Sequence, residues 1–240
     1  MKKLLMLVLF IIFSIAGEVK LVTEISPPFE MYDKNGKLTG ISIDIVRAIQ
    51  KEINDTSPIK VYPWSRAIKL TKLRKNYALF STLRTKAREK EFKWVGPIAT
   101  IELVFFKKTD SNITIHSIED AKKVGKIGVT SNVANYDILK SMGFRNLDVI
   151  TTGVDEQNIK KLIRGRIDLW PALKFNALYN IKKMGLKGKI EPINDVVIFK
   201  GDLYISFNKN TDDAIIQKWQ KALDTLRKRG VIQDIMNKYK

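Results

Sequence analysis

The stretch Ser81-Thr82-Leu83-Arg84-Thr85-Lys86-Ala87-Arg88 gathers the residue types best suited to seizing a small anion. Hydroxyls and free backbone N–H groups where a strand ends and the chain turns into a helix can hold a negative charge. An arginine adds a planar guanidinium that meets a carboxylate through two parallel hydrogen bonds. Here Ser81, Thr82 and Thr85 supply hydroxyls, and Arg88 supplies the fork. The Thr-x-x-Arg spacing is short, and it is equally met by a threonine that caps a helix and an arginine that stays in water.

Other residues with chemical potential are few. Trp64 and Trp170 each stand at a strand end beside a proline, a position that suits cleft lining, although each also fits a core. Arg66, close to Trp64, either orients it or lies on the surface. His116 is the single histidine, in the polar loop from Asn112 to Ser117. With no cysteine in the chain, disulfides, Cys–metal sites and a lipid-modified N-terminal Cys are excluded, and no metal or cofactor is expected.

The anion-holding stretch must be carried by strands and helices, and the periodicity shows them. Glu18 to Ile25 alternates as a strand and is broken by Ser26-Pro27-Pro28-Phe29. Asn35-Gly36 marks a hairpin turn. Gly40 to Ile53 places Ile45, Ile49 and Ile53 on one helical face, with Asp44 near the positive end of the helix dipole. Ile59 to Tyr62 is a strand, Ala67 to Leu73 a helix, and Tyr77 to Phe80 the strand that runs into the hydroxyls. A β-prone stretch, Ile101 to Phe106, closes this first β-α-β-α-β unit.

A second unit repeats that order. It has a helix start at Ser117, strands at Lys126–Val129, Asp148–Ile150 and Arg166–Trp170, and helices after Asn132, from Asp155 to Arg164 and from about Lys174 to Met184. The chain then returns through a β segment, Asp202 to Phe207. A long helix follows from Asp212 to Lys228, ended by Gly230, and a last short helix runs from Val231 to Tyr239. Two α/β units joined twice describe two lobes. Residues 18–103 and 202–240 form lobe 1, and residues 104–201 form lobe 2. Ligands bind beyond the carboxyl ends of strands in such open sheets.

With 45% hydrophobic and 28% charged residues among 240, the composition is globular. Lys2 and Lys3 precede the apolar run Leu4–Phe13, and Ser14-Ile15-Ala16 offers small residues for cleavage, so residues 1–17 read as a secretory signal peptide. The run is too short to span a bilayer, and no other run of its length follows, which points to a soluble exported protein. The net charge of +18 is spread along the chain without a dense basic tract or RNA-binding motif, so nucleic acid is not an expected partner.

At this point the motifs converge. Ser26-Pro27-Pro28-Phe29, the segment Asn35 to Ile45, Thr85-x-x-Arg88 with Phe92, Gly165-Arg166-Ile167-Asp168 and Ala222-Leu223…Gly230…Ile235…Tyr239 follow the order seen in extracellular solute-binding proteins of family 3. The sequence resembles that family over nearly all the chain after residue 17. The resemblance implies an α/β, two-lobed, periplasmic-binding-protein-like (type II) clamshell, with two β-α-β-α-β lobes joined by two crossing segments. It implies a periplasmic, monomeric, non-enzymatic receptor that captures a small carboxylate-bearing solute, an amino acid or a relative of one, for an ABC permease in the inner membrane. It gives Arg88 the ligand's α-carboxylate, beside the hydroxyls of Ser81, Thr82 and Thr85 already read as anion-holding. By the same resemblance Trp64 packs on the ligand, Thr23 and Glu24 face the cleft, and Thr130-Ser131-Asn132 completes the carboxylate site.

The chain also departs from the amino-acid receptors. Where they carry the acid that holds the α-ammonium, this chain has Leu173, followed by Lys174. Asn132-Val133-Ala134 replaces a Gly-Thr-Thr-like turn, and Leu83 replaces a serine. A buried ammonium needs an acidic or carbonyl partner, so either Glu24 serves from the other lobe or the ligand has no ammonium. Relatives on this scaffold include periplasmic dehydratases, in which a cleft Glu or Lys would act as general acid or base, and sensor modules. These are the alternative readings.

Overall fold

The computed structural model describes residues 19–86, 88–131, 134–151 and 155–239. The expected signal peptide at residues 1–17, Glu18 and Asn132 lie outside them. In chain order the elements are β1 (Lys20–Thr23), β2 (Met31–Tyr32), β3 (Leu38–Thr39), α1 (Ile41–Ile53), β4 (Ile59–Val61), α2 (Trp64–Leu73), β5 (Tyr77–Leu83) and β6 (Phe92–Lys108). Then come α3 (Ile118–Ala121), β7 (Ile127–Thr130), α4 (Ala134–Ser141), β8 (Leu147–Ile150), α5 (Asp155–Ile163), β9 (Trp170–Leu173), α6 (Lys174–Lys183), β10 (Ile190–Asn208), α7 (Asp213–Lys228) and α8 (Val231–Lys238).

One sheet runs β4-β1-β5-β10-β6-β9, with β1 parallel to β4 and β5 and the remaining neighbours antiparallel. The parallel pair β7-β8 adjoins it where Gly128 N–H donates to Leu169 O at 2.9 Å. Side chains alternate across each strand, and the cores follow. Leu21, Ala78 and Phe80 enter the core beneath α1 and α7, whereas Val22 and Leu79 face Ala67 of α2. In β6, Leu103 and Phe105 feed one face of the sheet, while Val104 and Phe106 feed the other, against α5 and α6. The long strands β6 and β10 therefore take part in every core except the small one beneath α2.

Several sequence expectations need adjustment. The crossing segments expected at Ile101–Phe106 and Asp202–Phe207 are parts of strands that run Phe92–Lys108 and Ile190–Asn208. The strand expected at Arg166–Trp170 begins only at Trp170, because Asp168 turns aside to accept the Lys126 N–H at 2.7 Å. No helix follows β5: Thr85–Arg88 is a turn closed by Arg88 N–H to Thr85 O at 3.0 Å, so Thr85 caps no helix. The Asn35-Gly36 hairpin is present, with Asp33 Oδ1 accepting from the Asn35 and Lys37 N–H groups, each at 2.9 Å.

The start of α1 sets the cleft loop. Ile41 and Ser42 donate their N–H groups to Pro28 O and Phe29 O at 3.0 and 3.1 Å. Gly40 permits this approach, since a Cβ there would meet Phe29 O at 2.2 Å, and its φ of +131° suits only glycine. Asp44 does more than complement the helix dipole: its Oδ2 takes hydrogen bonds from Tyr239 Oη at 2.8 Å and Lys238 Nζ at 2.7 Å, tying α8 to α1. Among the described residues, no helix is long and apolar enough to cross a membrane.

Candidate functional site

β5 ends in Ser81-Thr82-Leu83, and the three residues point to three different fates. Thr82 is fully buried: its hydroxyl donates to Leu79 O at 3.1 Å and pairs with Ser206 Oγ at 2.9 Å. It belongs to the core, which corrects the expectation that it lines the cleft. Ser81 takes a left-handed backbone, φ 57°, and turns its hydroxyl to Ser42 of α1 at 2.7 Å and to Glu30. Leu83 offers its carbonyl to Arg88 Nη1 at 3.2 Å.

The two arginines of the stretch differ in kind. Arg84 grips Glu89 through Nε at 2.8 Å and Nη2 at 2.6 Å, and its guanidinium lies over Trp94 and Tyr204 at 5.6 and 5.1 Å. Its demands are met. Arg88 is half-buried, lies 5.4 Å from the ring centre of Trp64, and has no carboxylate within ion-pair distance among the described residues. One bond to Leu83 O leaves most of its N–H donors free for an incoming carboxylate. Trp64 opens α2 directly after Pro63 and is half-buried beneath that cation.

Glu24 stands beside this pair. Burial lifts its carboxyl above the usual range, and the Trp64 N–H at the start of α2 partly offsets the lift. Thr23 is 1% exposed and sends its hydroxyl to Glu24 O at 3.4 Å, so it serves the wall rather than the cleft. Arg66 stacks on Tyr62 at 4.5 Å.

A cavity of about 550 Å³ separates Ile25-Ser26-Pro27 from the second lobe. Thr130, at the end of β7, lines it and accepts from Asn158 Nδ2 at 3.2 Å. Asn135 donates to Pro171 O at 3.3 Å, and Asn176, near the start of α6, donates across the gap to Pro27 O at 2.6 Å. Trp170 reaches the cavity but is 1% exposed, with its ring packed on Phe106 at 5.4 Å, so it is mainly a core residue. Among the described residues Glu156 is the one charged side chain of the lining. Leu173 also lines this cavity, while packing against the cores of both lobes. A second cavity of about 630 Å³, lined by Met31, Tyr179, Lys182 and Tyr239 among others, includes Pro28 and Tyr239 of the sequence motifs but none of the candidate ligand-binding residues.

Sequence reasoning missed Glu30 and Ser42. Glu30 has no exposed surface, contacts Ser81, and leaves Oε2 without a partner. Burial pushes its carboxyl up to about 8, against the hydrogen bonds from Ser81 and Ser42 and with the nearby Glu24 charge adding to the lift. One signal existed: Ser42 shares the buried face of α1 with Ile45, Val46 and Ile49, so a polar group sits where a side chain faces the core. Nothing near Glu30 in sequence announces its partners.

The sequence matches the family described as bacterial extracellular solute-binding proteins, family 3, over residues 19–240. It is 26% identical to the arginine-binding periplasmic protein of Mannheimia haemolytica, covering 100% of this chain and 98% of that protein. It is 25% identical to the probable amino-acid-binding protein YxeM of Bacillus subtilis, covering 89% of this chain and 80% of that one. The fold matches the crystal structure of the probable amino-acid ABC transporter extracellular-binding protein ytmK of Bacillus subtilis with a TM-score of 0.79 at 20% identity, over 93% of this chain and 97% of that one. The architecture is thus the two-lobed type II periplasmic-binding fold, and the chain belongs to the bacterial extracellular solute-binding proteins, family 3.

Proposed function

We propose that this protein, exported by its first 17 residues, captures a small carboxylate-bearing solute, an amino acid or a close relative, and delivers it unaltered to an ABC permease. The observation that carries this reading is the contrast within one motif: Arg84 is held by the Glu89 carboxylate through two hydrogen bonds, while Arg88, half-buried over Trp64, has no carboxylate partner among the described residues. A guanidinium held that way is built for a planar anion. Ser81 and Thr85 shape the turn that carries Arg88, Trp64 packs on the solute, and Thr130 closes over it from lobe 2. The named functions of the relatives, arginine binding and amino-acid binding, agree with this class of solute.

With Leu173 at the position where amino-acid receptors carry an acid, an α-ammonium would find Glu24 from lobe 1 and Glu156 or the side-chain carbonyls of lobe 2. Calorimetric titration of the purified protein with a panel of amino acids and their deaminated analogues tests the proposal. Saturable binding of at least one carboxylate-bearing member, with the solute recovered unchanged, is the expected result. Binding only of compounds without a carboxylate, or chemical conversion of the solute, would contradict it.

A further inference from the structure

Among the described residues, Glu30 is the one carboxylic acid with no exposed surface. It ends a small loop closed on itself: Ser26 N–H donates to Glu30 O at 2.9 Å, and Glu30 N–H donates to Ser26 O at 3.1 Å. That loop meets the second lobe through Asn176 Nδ2, on Pro27 O at 2.6 Å and Ser26 Oγ at 3.5 Å, and through the edge-on contact of Phe29 with Phe175 at 6.0 Å. The Glu30 side chain runs inward to Ser81, whose φ of 57° is rare for a residue with a side chain, and Ser81 touches Ser42 at 2.7 Å. The cleft loop, the end of β5 and the start of α1 thus share one polar junction.

We propose that Glu30 is a proton-bearing positioning residue: as the neutral acid it holds Ser81 in its left-handed backbone and the Ser26–Glu30 loop against the second lobe, and ionisation releases both and weakens solute capture. A serine hydroxyl owns one proton. With Glu30 protonated, the acid donates to Ser81 and Ser81 donates to Ser42. With Glu30 ionised, the order reverses, and Oε2, already without a partner, becomes a buried charged oxygen. The groups facing Glu30 are the neutral hydroxyls of Ser81 on β5 and Ser42 on α1, together with the like charge of Glu24 beyond β1. None of them stabilises an anion as a cation would, so the route to relief is movement of the loop toward water. The carboxyl, pushed up to about 8, makes the change accessible under mildly alkaline conditions.

The final clause of the proposal rests on the binding function inferred above, whereas the rest is independent of it. The test follows the backbone amide shifts of Ser26, Phe29, Ser42 and Ser81 by NMR from about pH 6.5 to about pH 9.5, in the wild type and in Glu30→Gln, with no solute added. Gln keeps the shape and the donor of the neutral acid, so the variant should fold. The amides should move together in the wild type with one midpoint near 8 and stay still in Glu30→Gln. Still amides in the wild type, or the same titration in the variant, would overturn the proposal. The second arm measures affinity for L-arginine on the same samples. If only the protonated form captures solute, wild-type affinity falls about thirtyfold over that range, and that of Glu30→Gln falls less than about threefold. Equal falls in both proteins would sever the link to capture. If neither protein binds L-arginine, the amide shifts still decide the role of Glu30, and the choice of solute alone fails.

Discussion

Arg84 and Arg88 lie within a few residues of each other, and what separates them is company. Glu89 takes both prongs of the Arg84 fork, while among the described residues Arg88 has only a backbone carbonyl and an indole face. The spacing from Thr85 marks Arg88 in the sequence, but that Arg84 is already satisfied becomes visible only when Glu89 folds back on it. Thr82 was misread for a similar reason: a hydroxyl beside a presumed site looks functional until its partner, 124 residues away, is known. Thr82→Val should therefore lower stability by about 0.5–1.5 kcal/mol, read by urea unfolding, and leave solute affinity unchanged. Glu30 gives the sharper case. Its folded-state value, about 8 against an ordinary 4.5, means that the folded protein holds the proton more tightly than the unfolded chain. Its effect on stability is therefore most favourable below about 4.5, declines as pH rises, and levels off above about 8. The full swing is on the order of 5 kcal/mol. Unfolding free energies at pH 5.5 and pH 9 should fall more steeply for the wild type than for Glu30→Gln; parallel declines would remove Glu30 as the cause.

At the scale of elements, amphipathic helices were legible and strand limits were not. The stripe of Ile45 and Ile49 announced α1 because one face of a helix repeats locally. The strands β6 and β10 are longer than their hydrophobic runs because they feed different cores along their length, so no single alternation spans them. The start of β9 moved to Trp170 because Asp168 is held by the Lys126 N–H before the strand begins. A dependence of the same kind joins β7 to α5. A Cβ on Gly128 would lie 2.3 Å from Ile167 Cδ1 and 2.9 Å from Asn158 Oδ1, and Asn158 in turn holds Thr130. Gly128→Ala should push α5 off β7, lower stability by about 1–3 kcal/mol in urea unfolding, and weaken solute binding through the displaced Thr130. An unchanged affinity would remove Thr130 from the site.

For the whole molecule, β6 and β10 are the paired connections between the lobes, and their hydrogen-bonded register is interrupted between Ile193 and Val197 and between Leu203 and Ile205. Rotation about such paired strands is taken up by a few backbone angles, which suits a cleft that closes on its solute. Small-angle scattering should show compaction at saturating solute; an identical profile would contradict closure. The net charge of +18 is spread over the chain, so its influence on an anionic solute is one of steering rather than grip and should fade with salt.

Carboxylate capture turns on Arg88, and calorimetry on three variants with a captured solute tests it most directly. A charge-assisted pair is worth about 1.5–3 kcal/mol, more when its loss strands a buried charge, so Arg88→Ala should weaken binding by about ten- to a hundredfold or more. Arg88→Lys should fail to restore it, because an ammonium cannot reproduce the planar fork. Arg84→Ala, which removes an arginine already paired with Glu89, should change affinity little. Wild-type affinity in Arg88→Ala would contradict carboxylate capture at this site.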